Sequence, residues 1–308
     1  SVLTLARKDY FRDFLRKNDY YIPTSGVYGD RREVAKDISR FDFPILIKPC
    51  DSAGSRGVSK FNDENYDEND FQRAFDNALS FSNAKKVVVE DFIQRSKYQV
   101  AGDGFVVDGK LVFRCFANEH FNKTCNTLVP IGESFPSMHG IEVQERAHEQ
   151  LQSVFTKLDI RFGAFNFDFM ITTNDDIFVI EIGPRNGGNL IPQVTRYATG
   201  VDMLDYTVKA SLGEDCSDLR MHDVKGYYSS YMIHSKREGL FQGISMSDDL
   251  KNNILEHNMY AEPGSFIESY QMAGCACGEI ILKFESMDEM LNKMDNMDIY
   301  CKVLLNGD

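Results

Sequence analysis

The sequence of 308 residues contains no tryptophan and is short of positive charge, with 34 lysines and arginines against 47 aspartates and glutamates. The formal net charge of −13 predicts repulsion from phosphate backbones, so nucleic acid and anionic membrane surfaces are not expected partners. Apolar runs such as 44–47 and 177–182 fall far below the roughly 20 residues that a membrane helix requires. Hydrophobic residues still make up 43% of the chain, which excludes disorder of the whole.

Several familiar signatures are also missing. The seven cysteines are odd in number and scattered, which predicts reduced thiols in a cytoplasmic protein rather than a secreted disulfide framework. The six histidines lack the spacing of zinc ligands. No charged-then-apolar leader follows Ser1, so no secretory signal is predicted. The sequence contains no Walker A, GxGxxG or GxSxG motif.

Hydrophobic spacing and turn signals predict helices and strands in alternation. A helix bearing Lys8 is expected to stop before Pro23, and strands are expected over 42–49, 86–93 and 98–107. The other local predictions are a hairpin turn at Asp108-Gly109, a capping box of Ser286 with Glu289, and a helix with Leu204, Val208 and Leu212 that ends at Gly213. Because many strands follow one another as hairpins rather than through βαβ units, the predicted fold class is α+β.

The segment 163–189 predicts an acidic hairpin. A turn at 173–176 sets a register in which Asp168 lies opposite Glu181, while the other face of the hairpin is apolar. Two carboxylates at a separation of about 5 Å repel each other unless a cation lies between them. Oxygen ligands suit a hard divalent ion, so the pattern predicts a site for Mg²⁺ or Mn²⁺. The alternative is that both acids point into water at the strand end.

A second candidate site follows the strand that ends at Lys48. The next residues form a Ser/Gly loop that contains Ser52, Gly54, Ser55 and Gly57, and small residues of this kind allow the backbone to approach phosphates closely. Considered alone, this segment is explained better by an ordinary surface β-turn than by a phosphate-binding loop.

Five motifs in this order resemble the ATP-grasp superfamily of carboxylate-amine ligases, including L-amino-acid ligases and the large subunit of carbamoyl-phosphate synthase. They are the Lys8 helix ending at Ile22-Pro23, Phe43-Pro44-Ile45-Leu46-Ile47-Lys48-Pro49 with its loop, Val88-Val89-Glu90-Asp91-Phe92-Ile93, Asn166-Phe167-Asp168-Phe169, and Glu181-Ile182-Gly183-Pro184-Arg185. The resemblance runs from about Lys8 to Gly213. It implies two α+β subdomains that clamp a nucleotide, followed by a C-terminal α+β module.

On this resemblance we expect four segments. Residues 1–40 would be an N-terminal helical entry segment and 41–108 the small lid subdomain. Residues 109–215 would be the large subdomain with the metal site, and 216–308 a C-terminal module packed on it. Glu262-Pro263-Gly264 and the turn region 274–278 resemble the C-terminal module of L-amino-acid ligases, and a plain structural cap is the alternative.

The resemblance also implies roles for individual residues. The implied ATP-binding residues are Lys8, Lys48, Ser52, Ser55, Gly57, Glu90, Ile93 and Gln99. The implied ligands of Mg²⁺ or Mn²⁺ are Asp168, Glu181, Asn166 and Asn186, and the implied catalytic residues are Arg185 and Lys48. Lys8 and Lys48 would contact the phosphates, and Glu90 and Ile93 would frame the adenine.

The implied reaction is a ligation in two steps. A carboxylate attacks the γ-phosphate of ATP, and an amine then displaces phosphate from the acyl-phosphate. Small-molecule carboxylate and amine substrates are therefore expected, amino acids among them, and a homo-oligomer is left open. One alternative is a carboxylase or a carbamoyl-phosphate-type kinase. Another is a nucleotide-binding module without catalysis of its own, since Gly183 replaces the asparagine of the motif and no Rossmann-like domain precedes the Lys8 helix.

Replacement of Glu181 by glutamine removes a negative charge from the predicted metal site at nearly constant size. We expect Glu181→Gln to abolish metal-dependent nucleotide binding, because it removes one of the two carboxylates that are predicted to hold the divalent ion. Calorimetric titration with Mg-ATP measures the effect. An unchanged affinity would contradict the assignment of Asp168 and Glu181 as metal ligands.

Overall fold

Antiparallel strand pairing characterises the architecture. The computed structural model describes residues 2–62, 67–123 and 125–307. Each strand pair with a defined register is antiparallel, and helices are interspersed among the strands, which confirms the predicted α+β class. The chain divides into two units: unit 1 is Ser1–Ser96 with Phe169–Ile182, and unit 2 is Lys97–Asp168 with Gly183–Asp308.

Unit 1 contains a four-stranded sheet in the order β1-β4-β2-β3. Its helices are α1 (Val2–Ala6), α2 (Lys8–Lys17), α3 (Arg31–Asp37) and α4 (Glu68–Ser80). Its strands are β1 (Ser25–Tyr28), β2 (Ile45–Pro49), β3 (Ser59–Phe61) and β4 (Val87–Asp91). The strands predicted over 42–49 and 86–93 are therefore confirmed as β2 and β4.

Helix α2 forms because its apolar residues recur on one side. Phe11 and Leu15 are buried four residues apart, and Leu5 of α1 is buried as well. Arg16 and Lys17 lie in the last turn of α2, where positive charge favours the carbonyl end of a helix. This local pattern fixes the start of α2 at Lys8, which is one of the predicted site residues.

Unit 2 is built around an eight-stranded sheet in the order β12-β14-β10-β7-β6-β5-β8-β9, with a three-stranded sheet β13-β11-β15. The strands are β5 (Gln99–Val107), β6 (Lys110–Phe121), β7 (Pro130–Phe135), β8 (Gly163–Ile171), β9 (Ile177–Gly183), β10 (Tyr227–Ile233), β11 (Gly239–Met246), β12 (Ile254–Met259), β13 (Phe266–Ile267), β14 (Gly278–Phe284) and β15 (Cys301–Leu305). The helices are α5 (Ile141–Lys157), α6 (Ile191–Thr199), α7 (Met203–Leu212), α8 (Asp248–Lys251), α9 (Met287–Asp295) and α10 (Met297–Tyr300). The last three residues of β8 and all of β9 except Gly183 belong to unit 1, which includes Phe169–Ile182.

Several local sequence signals are confirmed. Asp108 and Gly109 have φ of 50° and 80°, the left-handed geometry that joins β5 to β6 in a tight hairpin. The Ser286 hydroxyl accepts a hydrogen bond from the Glu289 backbone N–H at 3.1 Å, so the predicted cap of α9 is present. Helix α7 ends at Gly213, whose φ is 74°.

An aromatic cluster supports the strand that carries the first acidic motif. Phe155 of α5 lies 4.7 Å from Phe165 and 6.1 Å from Phe167, between ring centroids. Because side chains alternate along a strand, burial of Phe165 and Phe167 on this face assigns Asn166 and Asp168 to the other face of β8. The packing of α5 against Phe165 and Phe167 thus determines the face of β8 on which two predicted metal ligands, Asn166 and Asp168, lie.

The predicted division into the segments 1–40, 41–108, 109–215 and 216–308 stays a proposal. It differs from the two units into which the structure divides. The segment 216–308 supplies β10, β12 and β14 of the large sheet, and its residues share a core with Val129 and Ile131. In the described part of the chain, none of the helices combines the length and apolar character that a membrane crossing requires.

Phe155 provides a test of the core of unit 2. Its side chain has no solvent exposure, and we expect Phe155→Ala to lower the free energy of unfolding by roughly 3–5 kcal/mol because it leaves a cavity against two rings. Chemical denaturation monitored by circular dichroism measures the change. Ile141→Ala, at a residue of the same helix that is 70% exposed, is the matched control and should change stability by about 0.5 kcal/mol or less.

Candidate functional site

Lys8 joins three parts of unit 1. Its ammonium nitrogen lies 2.7 Å from the carbonyl oxygen of Ser52 and 3.0 Å from Oε2 of Glu181. Its backbone N–H also donates to the carbonyl of Cys50 at 2.7 Å. The start of α2 is thereby attached both to the Ser/Gly loop and to β9. Lys8, Ser52 and Glu181, three residues singled out from the sequence, are neighbours in the fold.

Lys48 and Glu90 form a buried ion pair, and Arg12 completes it. The Lys48 ammonium and the Arg12 guanidinium both donate to the Glu90 carboxylate, the latter at 3.0 Å between Nε and Oε2. Arg12 also donates to the carbonyl of Ile180 at 2.9 Å and lies over the ring of Phe178, 4.7 Å from its centroid. One carboxylate thus holds two cations away from bulk water.

The protonation states in this cluster follow from burial and charge. Burial alone would raise the pKa of Glu90, but the charges of Arg12 and Lys48 outweigh it and hold the pKa well below its usual range. Burial lowers the pKa of Lys48, and the Glu90 carboxylate opposes that shift. The carboxylate is therefore ionised at neutral pH. The negative charge of Glu90 offsets the cost of burying Lys48 beside Arg12.

The Ser/Gly loop has a fixed conformation. Ser55 and Gly57 have φ of 57° and 69°, and Asp51 anchors the loop by accepting hydrogen bonds from the Ser82 hydroxyl and the Ala84 N–H. A Cβ at Gly57 would come within 2.9 Å of the Phe81 ring, so both the backbone angle and the packing require glycine there. The predicted roles of Ser52, Ser55 and Gly57 in phosphate binding stay predictions.

The predicted adenine-binding residues lie in the last part of β4 and just beyond it. Glu90 is buried in the strand, whereas Ile93 lies just beyond it and is half-buried. Phe92 donates its N–H to the carbonyl of Pro44 at 2.8 Å, which ties this segment to the start of β2. Gln99, the predicted ribose contact, belongs to unit 2, where its amide donates to the Glu119 carboxylate.

In unit 2, Asn166 is held by a buried acid that the sequence analysis did not identify. The Asn166 amide nitrogen donates to the carbonyl of Gly102 at 3.0 Å and to Oδ1 of Asp103 at 3.2 Å. Asp103 also accepts the N–H of Gly187, with distances of 2.8 and 2.9 Å to its two oxygens. Burial raises the pKa of Asp103 to about 7, although these hydrogen bonds and the charge of Arg185 act in the opposite direction.

Glu133 of β7 is a second buried acid that sequence reasoning missed. It accepts hydrogen bonds from the Ser230 hydroxyl at 2.8 Å and from the Asn189 amide at 3.3 Å. Burial raises its pKa to about 8, and the neighbouring charges of Asp168 and Asp103 act in the same direction. Asp103 and Glu133 are each the one charged residue in a strand whose other residues are mostly buried. This pattern was the signal that could have identified them, because charged residues are rarely buried without a function or a partner.

Arg185 and Asn186 lie at the end of β9, in unit 2. The Arg185 guanidinium donates to the carbonyl of Asn186 at 2.7 Å. The Asn186 amide nitrogen donates to the Thr207 hydroxyl at 2.9 Å, while its Oδ1 is buried and has no hydrogen-bond partner among the described residues. A buried amide oxygen without a donor is suited to a hard cation, so this residue fits its predicted role.

The donor set as a whole fits magnesium better than zinc. The predicted ligands Asp168, Glu181, Asn166 and Asn186 offer only oxygen atoms and amides, the donors that Mg²⁺ prefers. Across residues 2–62, 67–123 and 125–307, no group of three or more His, Cys, Asp or Glu side chains is arranged to bind a metal ion. The pairing of Asp168 of unit 2 with Glu181 of unit 1 as a metal site stays a prediction.

Comparison with known proteins defines the family. A model of the ATP-grasp domain matches residues 6–189, which is more than half of the sequence. The chain therefore belongs to the ATP-grasp family, and the predicted ATP-grasp fold is confirmed. ATP and Mg²⁺ are typical of this family.

Relatives among curated proteins are large chains of carbamoyl phosphate synthase. The C-terminal section from Aquifex aeolicus is 24% identical over 216 residues, covering 69% of this chain and 38% of that protein. The large chain from Vibrio cholerae is 27% identical over 176 residues, covering 56% of this chain and 15% of that protein. This chain thus spans well under half the length of these relatives.

Solved structures share the fold over nearly the whole chain. The L-amino acid ligase from Bacillus licheniformis superposes with a TM-score of 0.77 at 16% identity, covering 99% of this chain and 73% of that chain. The phosphoribosylglycinamide synthetase from Anaerococcus prevotii gives a TM-score of 0.67 at 18% identity, with coverages of 99% and 75%. Identities this low show a common fold and no more.

The raised pKa of Glu133 makes stability depend on pH. A carboxyl group that titrates near pH 8 in the folded state and near its ordinary value of 4.5 when unfolded stabilises the fold while protonated, and this contribution is lost as the pH rises through about 8. The loss amounts to at most about 1.4 kcal/mol per pH unit. We expect Glu133→Gln to flatten the decline in unfolding free energy between roughly pH 5 and 8.

Chemical denaturation at a series of pH values measures this decline. The exposed Glu142→Gln, at the start of α5, is the matched control and should retain the wild-type profile. A Glu133→Gln profile parallel to the wild type would show that Glu133 is ionised in the folded protein.

Proposed function

We propose that this chain is an ATP- and Mg²⁺-dependent ligase that phosphorylates a small-molecule carboxylate and couples the acyl-phosphate to an amine. The observation that carries the proposal is the position of Lys8, which contacts both Ser52 of the Ser/Gly loop and Glu181 of the acidic strand. These residues come from three separate motifs of the ATP-grasp resemblance. A reduced, cytoplasmic location is part of the same proposal.

Unit 1 supplies the cationic side of phosphate binding. Lys8 lies at the start of α2 and Lys48 near the end of β2, and both residues precede the Ser/Gly loop in sequence. Glu90 holds Lys48 in a defined position, so its ammonium needs little reorganisation when phosphates arrive. Phosphoryl transfer depends mainly on such positioning and on charge neutralisation.

The predicted metal ligands and Arg185 complete the proposal. Asp168, Asn166, Asn186 and Glu181 would hold Mg²⁺, which supplies charge neutralisation at the phosphates when it is bound. The Arg185 guanidinium donates to the carbonyl of the adjacent residue Asn186. A planar guanidinium matches phosphoryl and carboxylate oxygens well, which supports its assignment as a catalytic residue.

The curated relatives favour a second candidate activity. Carbamoyl phosphate synthase large chains are among the relatives at 24–27% identity, so activation of bicarbonate or carbamate is the competing function. The third candidate, a nucleotide-binding module, is supported by Gly183 at the position of the motif asparagine. Amino acids are our preferred substrates because the C-terminal segment resembles that of L-amino-acid ligases.

Substrate-dependent release of ADP separates the three candidates. We expect the chain to release ADP from Mg-ATP when pooled amino acids are added, measured by a coupled enzymatic assay. Release that requires bicarbonate instead would favour the carboxylase or kinase. Nucleotide binding without turnover in either case would favour the module.

Lys48→Gln is the variant that ties turnover to the proposed site. We expect it to lower kcat by about 100-fold or more, because it removes a positioned charge from the transferring phosphates. Lys86→Gln, one residue before β4, is the matched control and should retain activity. Equal activity in both variants would exclude Lys48 from catalysis.

A further inference from the structure

The loop between Arg185 and α6 has a backbone that its own residues do not favour. Asn189 and Leu190, the last residues before α6 begins at Ile191, have φ of 51° and 62°. Left-handed angles are unfavourable for residues with a side chain, and leucine adopts them rarely. Strained backbone of this kind persists where neighbouring parts of the fold hold it. One such contact is the hydrogen bond from the Asn189 amide to Glu133, at 3.3 Å.

Asp103 of β5 holds the end of the loop that is nearer to Arg185. Its side chain has no solvent exposure, and its two oxygens accept the N–H of Gly187 at 2.8 and 2.9 Å. A Cβ at Gly187 would lie 2.8 Å from Oδ1 of Asp103 and 2.8 Å from Cδ1 of Ile191. Glycine is therefore required at position 187, because the backbone of the loop lies against the carboxyl group.

The same carboxyl group orients Asn166 of β8. The Asn166 amide nitrogen donates to the carbonyl of Gly102 at 3.0 Å and to Oδ1 of Asp103 at 3.2 Å. These two hydrogen bonds engage the nitrogen on the side of β5, so the amide oxygen faces away from Asp103. A metal ligand requires a fixed direction of this kind, and hydrogen bonds behind the ligand commonly provide it.

We propose that Asp103 is a positioning residue for the ligation, because it fixes the segment that carries Arg185 and the side chain of Asn166 in one arrangement. Arg185 lies two residues before Gly187, so a displacement of the loop moves it directly. Asp103 is buried and acts only through these residues. The inference rests on the proposed function, which gives Arg185 and Asn166 their roles.

The hydrogen-bonding capacity of the side chain at position 103 defines a graded series of variants. Each described partner of Asp103 is a donor, namely the N–H of Gly187 and the amide nitrogen of Asn166. Asparagine would keep an oxygen at the Oδ1 position, which both donors share, but it would turn a donor towards Gly187 at the Oδ2 position. Alanine would keep no acceptor. The effect should therefore increase from Asp103→Asn to Asp103→Ala.

Steady-state kinetics of ADP release tests the positioning role. We expect Asp103→Ala to lower kcat by about 100-fold, since a displacement of about 1 Å at reacting groups has an effect of this size. The KM for ATP should stay near the wild-type value, because most of the predicted nucleotide contacts belong to unit 1. Asp103→Asn should lower kcat by about tenfold. Asp108→Asn, in the exposed turn after the same strand, is the matched control and should retain wild-type kcat.

Gly187→Ala tests the same contact from the side of the loop. It leaves the carboxyl group of Asp103 in place and displaces the backbone from it, so we expect the same selective loss of kcat. Gly140→Ala, at a position where a Cβ meets open space, is the matched control. Wild-type kcat in folded Asp103→Ala or Gly187→Ala would overturn the proposal, as would a loss confined to KM.

Circular dichroism and thermal unfolding establish which variants are folded. If Asp103→Ala does not fold, the comparison of Asp103→Asn and Gly187→Ala with their controls decides the proposal.

Hydrogen–deuterium exchange of the segment 183–192 distinguishes this inference from the proposed function, because it needs no turnover. We expect the loop to exchange about tenfold faster in Asp103→Ala than in the wild type, and at the wild-type rate in Asp108→Asn. A wild type that releases no ADP would refute the proposed function, while faster exchange in Asp103→Ala would still support the anchoring of the loop. Unchanged exchange in the folded variant would overturn the inference whether or not the wild type is active.

Discussion

The carboxylate of Glu90 is the interaction on which the rest of unit 1 depends. This buried carboxylate forms ion pairs with Arg12 of α2 and with Lys48 of β2, away from water. The two ion pairs fix the position of the helix relative to the sheet of unit 1. Removal of one partner from a buried ion pair typically costs about 3–5 kcal/mol because the other charge is left unpaired. The position of Lys8, four residues before Arg12 on α2, follows from the same constraint.

Unit 2 uses the opposite balance of charge. Asp103 and Glu133 are buried among amide and hydroxyl donors rather than cations, and burial raises the pKa of both carboxyls. Neutral donors compensate a buried carboxylate less completely than a guanidinium does. Asp103 and Glu133 are therefore protonated more readily than ordinary carboxyls, whereas Arg12 and Lys48 of unit 1 are paired with an ionised carboxylate.

Local signals in the sequence were enough for several of the elements, and the roles of the site residues stay predictions. Turn residues such as Asp108-Gly109, the cap at Ser286 and the strand ending at Lys48 act over a few residues, so their structures could be predicted. Arg12 was missed because its partner Glu90 lies 78 residues away and only the fold brings them together. The spacing of Leu204, Val208 and Leu212 predicted a helix, but spacing cannot tell which side of a helix the core covers.

The two glycines of the Ser/Gly loop differ in what they allow. Gly54 and Gly57 both have positive φ, but the space around a Cβ at Gly54 is open, whereas Gly57 is enclosed by Phe81, Ala78 and Pro49. Natural or laboratory variation should therefore be asymmetric along the loop. Asparagine, which tolerates left-handed backbone angles, is acceptable at the first position, while the second admits no side chain. Substitution should therefore be tolerated at Gly54 and excluded at Gly57.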